Sequence, residues 1–263
     1  MPTPRRIRSL LPPLAALAGC LALLSLTACG SSNESLAKIQ GTSGAITKPM
    51  LNHWMRAMAG GDFRSNVGTK SPLGLVSEPA NYSECATAAD KLVPRSFSGQ
   101  PKLTHAQILQ KCRELHSALK AQAMSFLLSV QWTIAEGEEV GLKVSDALLH
   151  KEFQRYRKEV WKTPAKERAF LSERHWVLSD VLYQLKRNIL VTRMLPAFEA
   201  KVKQAGGGEQ VYAKLATQRY NSLIAKTKCK PGYVVQGCKG YREPSTPARS
   251  PAEILEGFVQ ASQ

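Results

Sequence analysis

The sequence predicts a mainly α fold with a short N-terminal β-hairpin and a C-terminal helix, and three observations carry that expectation. Apolar residues recur at three- and four-residue steps, as in Ile108, Cys112, Leu115, Leu119, Ala123, Phe126 and Val130, and again in Leu178, Val181, Leu182, Leu185 and Ile189. Helix-start signatures precede such runs: Thr104-His-Ala-Gln107 is a capping box, Ser145 precedes Asp146, and Thr163-Pro164 sets a cap before a first-turn proline. Glycines stand where the periodicity stops, at Gly60-Gly61, Gly141 and Gly206 to Gly208.

The chain has 263 residues, of which 43% are hydrophobic and 21% charged, enough apolar material for a core. That length fits one large or two small domains. Wholesale disorder, collagen-like repeats and a polytopic membrane protein are excluded.

Arg5, Arg6 and Arg8 open the chain without an acid, and the stretch from Leu10 to Ala28 is then almost wholly apolar, the layout of an export signal. It ends Leu26-Thr27-Ala28-Cys29, followed by Gly30-Ser31-Ser32, which matches the lipobox of bacterial lipoproteins. The expectation is cleavage after residue 28 and lipidation of Cys29, with a polar tether over 29–37. A transmembrane anchor is disfavoured by Pro12, Pro13 and the polar spacer that begins at the cysteine. Twin-arginine export is disfavoured because the residues around Arg5-Arg6 fit it poorly. Cleavage removes three arginines and no acid, so the formal charge falls from +16 to +13.

Of the six cysteines, Cys20 leaves with the signal and Cys29 takes lipid, leaving Cys85, Cys112, Cys229 and Cys238. An even number in an exported chain points to disulfides, with three connectivities open, and sequence proximity favours Cys85–Cys112 and Cys229–Cys238. Neither Cys-x-x-Cys nor His-x-x-x-His spacing occurs, so no metal is expected.

Taken in order, Ile39 to Ile46 reads as an extended hairpin containing Gly41 and Gly44. Thr47 caps a helix through Leu51, Trp54, Met55 and Met58 that Gly60-Gly61 stops, and 60–103, rich in Gly, Pro, Ser and Asn, reads as a long surface loop. A long central helix follows from Thr104 to Gly141. The next has Ser145 as cap, Val144 and Leu149 as a hydrophobic staple, and Leu149, Phe153, Tyr156 and Val160 as its apolar face. A short helix from Thr163-Pro164 leads past His175 into a long one that kinks at Pro196 and continues through Leu195, Phe198 and Val202. The last helix runs from about Glu209 to Lys226 with Tyr212, Leu215, Ala216 and Leu223 on one face. The domain spans 38–242, and 243–263 forms a partly disordered tail.

Little of this carries catalytic chemistry. There is no Gly-x-Ser-x-Gly elbow, and no Gly-Lys-Ser/Thr follows Gly206 to Gly208, so neither a nucleophile nor a phosphate loop is marked. Glu136, Glu138 and Glu139 read as a solvated helix face, and His175-Trp176 as packing residues. Lys151, Arg155, Arg157, Lys158, Lys162, Lys166 and Arg168 are interleaved with Glu152, Glu159 and Glu167, again a solvated face. An exported lipoprotein rarely meets nucleic acid, so the basic balance points instead to anionic lipid headgroups or wall polymers. No cofactor is implied.

The order of these elements resembles a known module. The lipobox, the glycine-containing extended pair, Ile46-Thr47-Lys48 and a helix bearing His53-Trp54 resemble the N-terminal module of SurA/PrsA/trigger-factor-like foldases. Glu139 to Asp146 with Phe153 is similar to that module's helix-to-helix turn, and Leu178-Ser179-Asp180 through Leu195 to its long partner helix. Lys226 to Cys238 is similar to the C-termini of PrsA-like lipoproteins from high-GC Gram-positive bacteria. The family's parvulin prolyl isomerase domain has no counterpart, because the interval from Val202 to Glu209 is too short to hold it. The resemblance implies a holdase or foldase on the outer face of the cell membrane, ATP-independent and without its own isomerase site. Its partners would be unfolded or nascent exported polypeptides. Candidate client contacts are Trp54, Met55, Met58, Trp132 and Trp161, with Met50 and Met124 beside them, since thioether and aromatic side chains adapt to varied partners. Two alternatives stay open: a basic envelope lipoprotein that binds wall polymers or a partner protein, and a prolyl isomerase with a degenerate site.

Overall fold

The helix opened by the capping box, α3 (His105–Glu139), is 35 residues long and is the element on which the others pack. Thr104 Oγ1 accepts from the Gln107 amide while the Gln107 side chain accepts from the Thr104 amide, the reciprocal pairing that sequence predicts. At its other end Leu142 N–H donates to the Gly137 carbonyl and Gly141 N–H to that of Glu138, with Gly141 at φ +72°. That bond pair is a Schellman motif, and the left-handed residue it requires is the glycine. The computed structural model describes residues 34–42, 44–67, 82–92, 103–245 and 249–254, all within the compact unit Ser32–Gln263. The expected signal peptide and lipid-bearing Cys29 lie outside the described residues.

A three-stranded antiparallel sheet of order β2-β1-β3 joins the two ends of the domain. β1 (Ser35–Ile39) pairs with β2 (Ala45–Thr47) on one side and with β3 (Thr227–Cys229) on the other. The expected tether is therefore too long: the chain becomes a strand at Ser35, because Leu36 and Ala37 find the core. The third strand comes from the far end of the chain, which local pattern does not reveal.

α1 (Lys48–Val67) does not stop at Gly60-Gly61 but runs through them. At Gly60 the missing side chain is what matters, since a Cβ there would lie 2.8 Å from His175 Cδ2 and 3.1 Å from the Arg174 carbonyl. The glycine lets α1 approach the end of α5 (Pro164–Arg174) rather than ending a helix. The expected loop at 60–103 is also corrected, because it contains α2 (Ser83–Leu92), whose Cys85, Ala86 and Ala89 are buried. Cys85 is bonded to Cys112 of α3, with Cα atoms 6.0 Å apart.

α4 (Asp146–Tyr156) is capped by Ser145 as expected and continues into a π-helical turn, Arg157–Trp161. The wider turn rotates the helix face, so Trp161 is buried and Val160, expected on the apolar side, is 51% exposed. α5 is capped by Thr163 with Pro164 at its first position. His175 then holds φ +52° and lets Trp176 N–H reach the Leu171 carbonyl. α6 (Leu178–Gln204) is one helix with Pro196 inside it, continuing past the position where a kink was expected. Gly206, Gly207 and Gly208, all at positive φ, turn the chain into α7 (Glu209–Lys226).

The core is in two parts. The larger surrounds α3 and takes in the sheet, α1, α2 and the C-terminal segment; the smaller holds Phe153, Trp161 and Val181. Trp176 packs against both. Trp132 of α3 donates its indole N–H to Thr227 Oγ1 at 2.8 Å, and Thr227 donates onward to the Leu223 carbonyl at 2.7 Å. That buried chain seats the Cys229–Cys238 hairpin, whose Gly237 lies so close to Trp132 that a Cβ would fall 2.7 Å from its ring. The tail beyond 243 is not simply loose. Arg249 pairs with Glu114 of α3, and residues 251–254 are helical, with Ile254 buried in the larger core.

Two expectations follow. Gly60→Ala lowers stability by about 1–3 kcal/mol in urea denaturation, because overpacking against the Arg174 backbone outweighs a helix-propensity gain of up to about 1 kcal/mol. Burial pushes the Tyr183 phenol up to about 12, against a hydrogen bond from Gln131 that works the other way. A raised folded-state pKa on a neutral acid contributes stability that is present below pH 10 and lost as pH rises towards 12. Roughly 2–3 kcal/mol is expected to vanish over that interval, and Tyr183→Phe should flatten this part of the stability profile.

Candidate functional site

The site is built by three helix faces around a cleft of about 650 Å³. α6 contributes Arg193, Met194, Ala197, Phe198 and Lys201, which recur at four-residue steps along one side. α7 contributes Leu215, Gln218, Arg219, Ser222, Leu223 and Lys226 with the same periodicity, and the end of α3 adds Glu136, Glu139 and Val140. The floor is apolar, formed by Met194, Ala197, Phe198, Leu215 and Leu223 with Leu142 at one end.

An ionic clasp spans the cleft. Both oxygens of Glu136 accept from the Arg219 guanidinium, and Lys226 lies 3.5 Å from Glu139. The hydrogen bond to Glu136 raises the Arg219 pKa further, although partial burial opposes it, so the guanidinium stays charged. The Arg219 guanidinium also sits over the Phe198 ring at 5.6 Å, and Phe198 meets Tyr212 edge-on at 5.2 Å. Two rim cations, Arg193 and Lys201, have no carboxylate partner among the described residues. The lining is therefore net positive by two. Val140 is 61% exposed at the mouth, and Val191 and Leu195 continue an exposed apolar stripe on α6. Such a surface accommodates an extended apolar segment and favours one with acidic flanks.

The residues expected to contact clients do not assemble into a surface. Trp54, Met55, Trp132 and Trp161 are buried and Met58 is half-buried. The Trp54 ring packs at a tilt against Phe126, 4.5 Å between centres, and lies 5.7 Å from that of Trp176, while Trp132 holds Thr227. These side chains are taken up by the two cores. Both disulfides stand where proximity placed them, Cys85–Cys112 and Cys229–Cys238. Glu136, expected on a solvated face, is instead largely covered beneath Arg219, whereas Glu138 is exposed.

The pair His53–Asp180, 2.8 Å apart, is the arrangement most like an acid–base dyad. Its carboxylate also accepts from the Val177 amide at 2.7 Å, capping α6. The pair ties α1 to the start of α6, a structural duty. Among the described residues no three His, Cys, Asp or Glu side chains are grouped to hold a metal ion.

The cleft itself was not singled out by sequence. The signal was present in Arg193, Ala197 and Lys201 at four-residue intervals and in Leu215 and Leu223 on the facing helix. Neither row announces that the two helices stand apart.

Comparisons of the chain with protein-family models, with curated proteins and with solved structures return no match. The class is accordingly defined by architecture: a mainly helical domain with a small antiparallel sheet, two disulfides and an apolar cleft with a cationic rim.

The clasp gives a direct expectation. Arg219→Met leaves Glu136 partly covered without its partner and should cost about 1–3 kcal/mol in thermal or urea unfolding. Glu136→Gln with Arg219→Met should recover much of that loss.

Proposed function

We propose that the chain is a lipid-anchored, ATP-independent holdase for unfolded exported polypeptides, with client segments lying in the cleft between α3, α6 and α7. The observation that carries this reading is the cleft: an open apolar floor between two helices, rimmed by cations that no acid of the described residues neutralises. A holdase needs apolar surface presented on a folded scaffold, and binding there shields a client's own apolar segments from one another. The lipobox at Leu26 to Cys29 supports attachment to the outer face of the membrane, and the foldase-like order of elements supports the activity. No isomerase step belongs to the proposal.

Protein lacking the signal should slow aggregation of several chemically unfolded clients at stoichiometric amounts, without nucleotide. Ala197→Glu puts a charge on the exposed cleft floor without touching either core, and should reduce that protection several-fold while leaving the unfolding midpoint unchanged. No suppression across the clients, or full suppression by the Ala197→Glu variant, would exclude the cleft as the client site.

A second reading draws on the α4–α5 arm. Arg155 and Arg157 there are engaged by Glu152, Glu159 and Glu167, but Lys151, Lys158, Lys162, Lys166 and Arg168 are exposed with no acidic partner among the described residues. Salt-sensitive retention on isolated cell-wall material, with no client binding, would favour a wall-polymer-binding lipoprotein instead.

A further inference from the structure

We propose that the sheet face and the disulfide hairpin form a docking surface for an anionic bilayer, orienting the domain on the membrane to which it is tethered. This rests on the lipid-anchor part of the functional reading and adds a second, protein-borne contact to it.

The argument begins with an unfavourable pair. Lys38 of β1 and Lys228 of β3 are direct register partners, so they stand side by side on one face of the sheet, both exposed. Like charges opposite one another in an antiparallel ladder repel. Neither has a carboxylate partner among the described residues. Lys239 adds a third unpaired, exposed cation beside them, because its amide donates to the Thr227 carbonyl at 2.9 Å, next to Lys228. Three cations held together without an acid would be relieved by an anionic surface.

The segment that follows β3 also exposes apolar groups. The hairpin closed by Cys229–Cys238 exposes Val234 at 41%, and Tyr241, just past it, is 36% exposed. Lysines with an exposed apolar side chain on the adjoining hairpin suit a membrane interface, where charges lie at the headgroups while the apolar side chain enters just below them.

The position of the tether makes bilayer the favoured occupant. β1 begins at Ser35, and Lys230, at the base of the hairpin, pairs with Glu34 while its amide donates to the Leu36 carbonyl at 2.8 Å. The chain thus enters the domain directly beside the lysines. Cys29 stands six residues before Ser35, a stretch that spans at most roughly 20 Å. A lipid on Cys29 keeps this face close to the headgroups, so a weak contact becomes intramolecular and is favoured by its high effective concentration. The arm lysines on α4 and α5 have no such link to the tether.

The test uses residues 30–263, which contain the compact unit and both cores, sedimented with vesicles. The probes are pure phosphatidylcholine and a mixture of three parts phosphatidylcholine to one part phosphatidylglycerol. Retention on the anionic vesicles only, falling with salt, is expected. Lys38→Glu with Lys228→Glu and Lys239→Glu should lower partitioning at least tenfold, since each lysine near an anionic surface counts for about 1 kcal/mol. Val234→Asp should lower it several-fold. Lys151→Glu with Lys158→Glu and Lys166→Glu, on the arm, should leave it within twofold. Equal binding to both vesicles, or an arm variant that loses as much as the sheet variant, overturns the proposal. So does lysine-dependent binding of soluble polyphosphate with no retention on vesicles. Whether Cys29 carries lipid is read separately, from the mass of membrane-extracted protein, so failure of the anchor is distinguished from failure of the docking face.

Discussion

The structure depends on covering α3. From Ala123 to Ala135 this helix buries residues on most sides, among them Met124, Leu127, Leu128, Val130 and Trp132, so no single partner helix can remove it from water. Apolar surface left exposed costs about 25 cal/mol per Å², and the chain responds by bringing elements from both ends to the same helix. α1, α2, α6, β1 and β2 all pack on it, and the polar atom buried along with Trp132 decides how the last segment arrives. The indole N–H requires an acceptor in the interior, Thr227 supplies it, and the disulfide hairpin is thereby fixed against the ring.

The smaller core is coupled to the larger one by aromatic contacts rather than by an extension of the same packing. Trp54 lies against Trp176, Trp176 against Phe170, and Phe170 against Trp161, each at 5.5–5.7 Å between ring centres. Close helix approaches hold this seam. Gly60 admits the end of α5, and Gly137 admits Leu190 of α6, whose Cδ2 would lie 2.8 Å from an added Cβ. His53 and Asp180 bridge the same seam in polar form.

The cleft exists because α7 does not join these cores closely. Leu223 is the one buried residue of α7, and the helix is held to the rest by the Glu136–Arg219 clasp, the Phe198–Tyr212 contact and the strand that follows it. Two positions of that continuation matter for the proposed function. Lys226 lines the cleft, and Lys228, two residues on, belongs to the lysine face of the sheet. On the proposed reading, the client site and the membrane-facing surface are connected through one short segment of backbone, Lys226-Thr227-Lys228, pinned at its centre by Trp132.

Local chemistry made much of the fold legible. The caps at Thr104, Ser145 and Thr163, the glycine end of α3 and the glycine turn before α7 all stand where sequence placed them, because each depends on hydrogen bonds within a few residues. The disulfide partners were favoured for a similar reason, being near in sequence. The errors share an opposite cause. The propensity of Gly60 predicts a helix stop, yet its role is set by the close approach of Arg174 and His175. Leu36 and Ala37 lie in the expected tether, yet both are buried and Ala37 pairs with Cys229 of β3. Trp54, Trp132 and Trp161, expected as client contacts, are absorbed by the cores. What sequence alone determined was where helices start, where most of them end and which cysteines lie near one another. Which glycines permit close approach, which aromatics are spent on packing and where two helices leave an open cleft were decided by tertiary structure, because those outcomes depend on residues far apart in the chain competing for the same apolar surface.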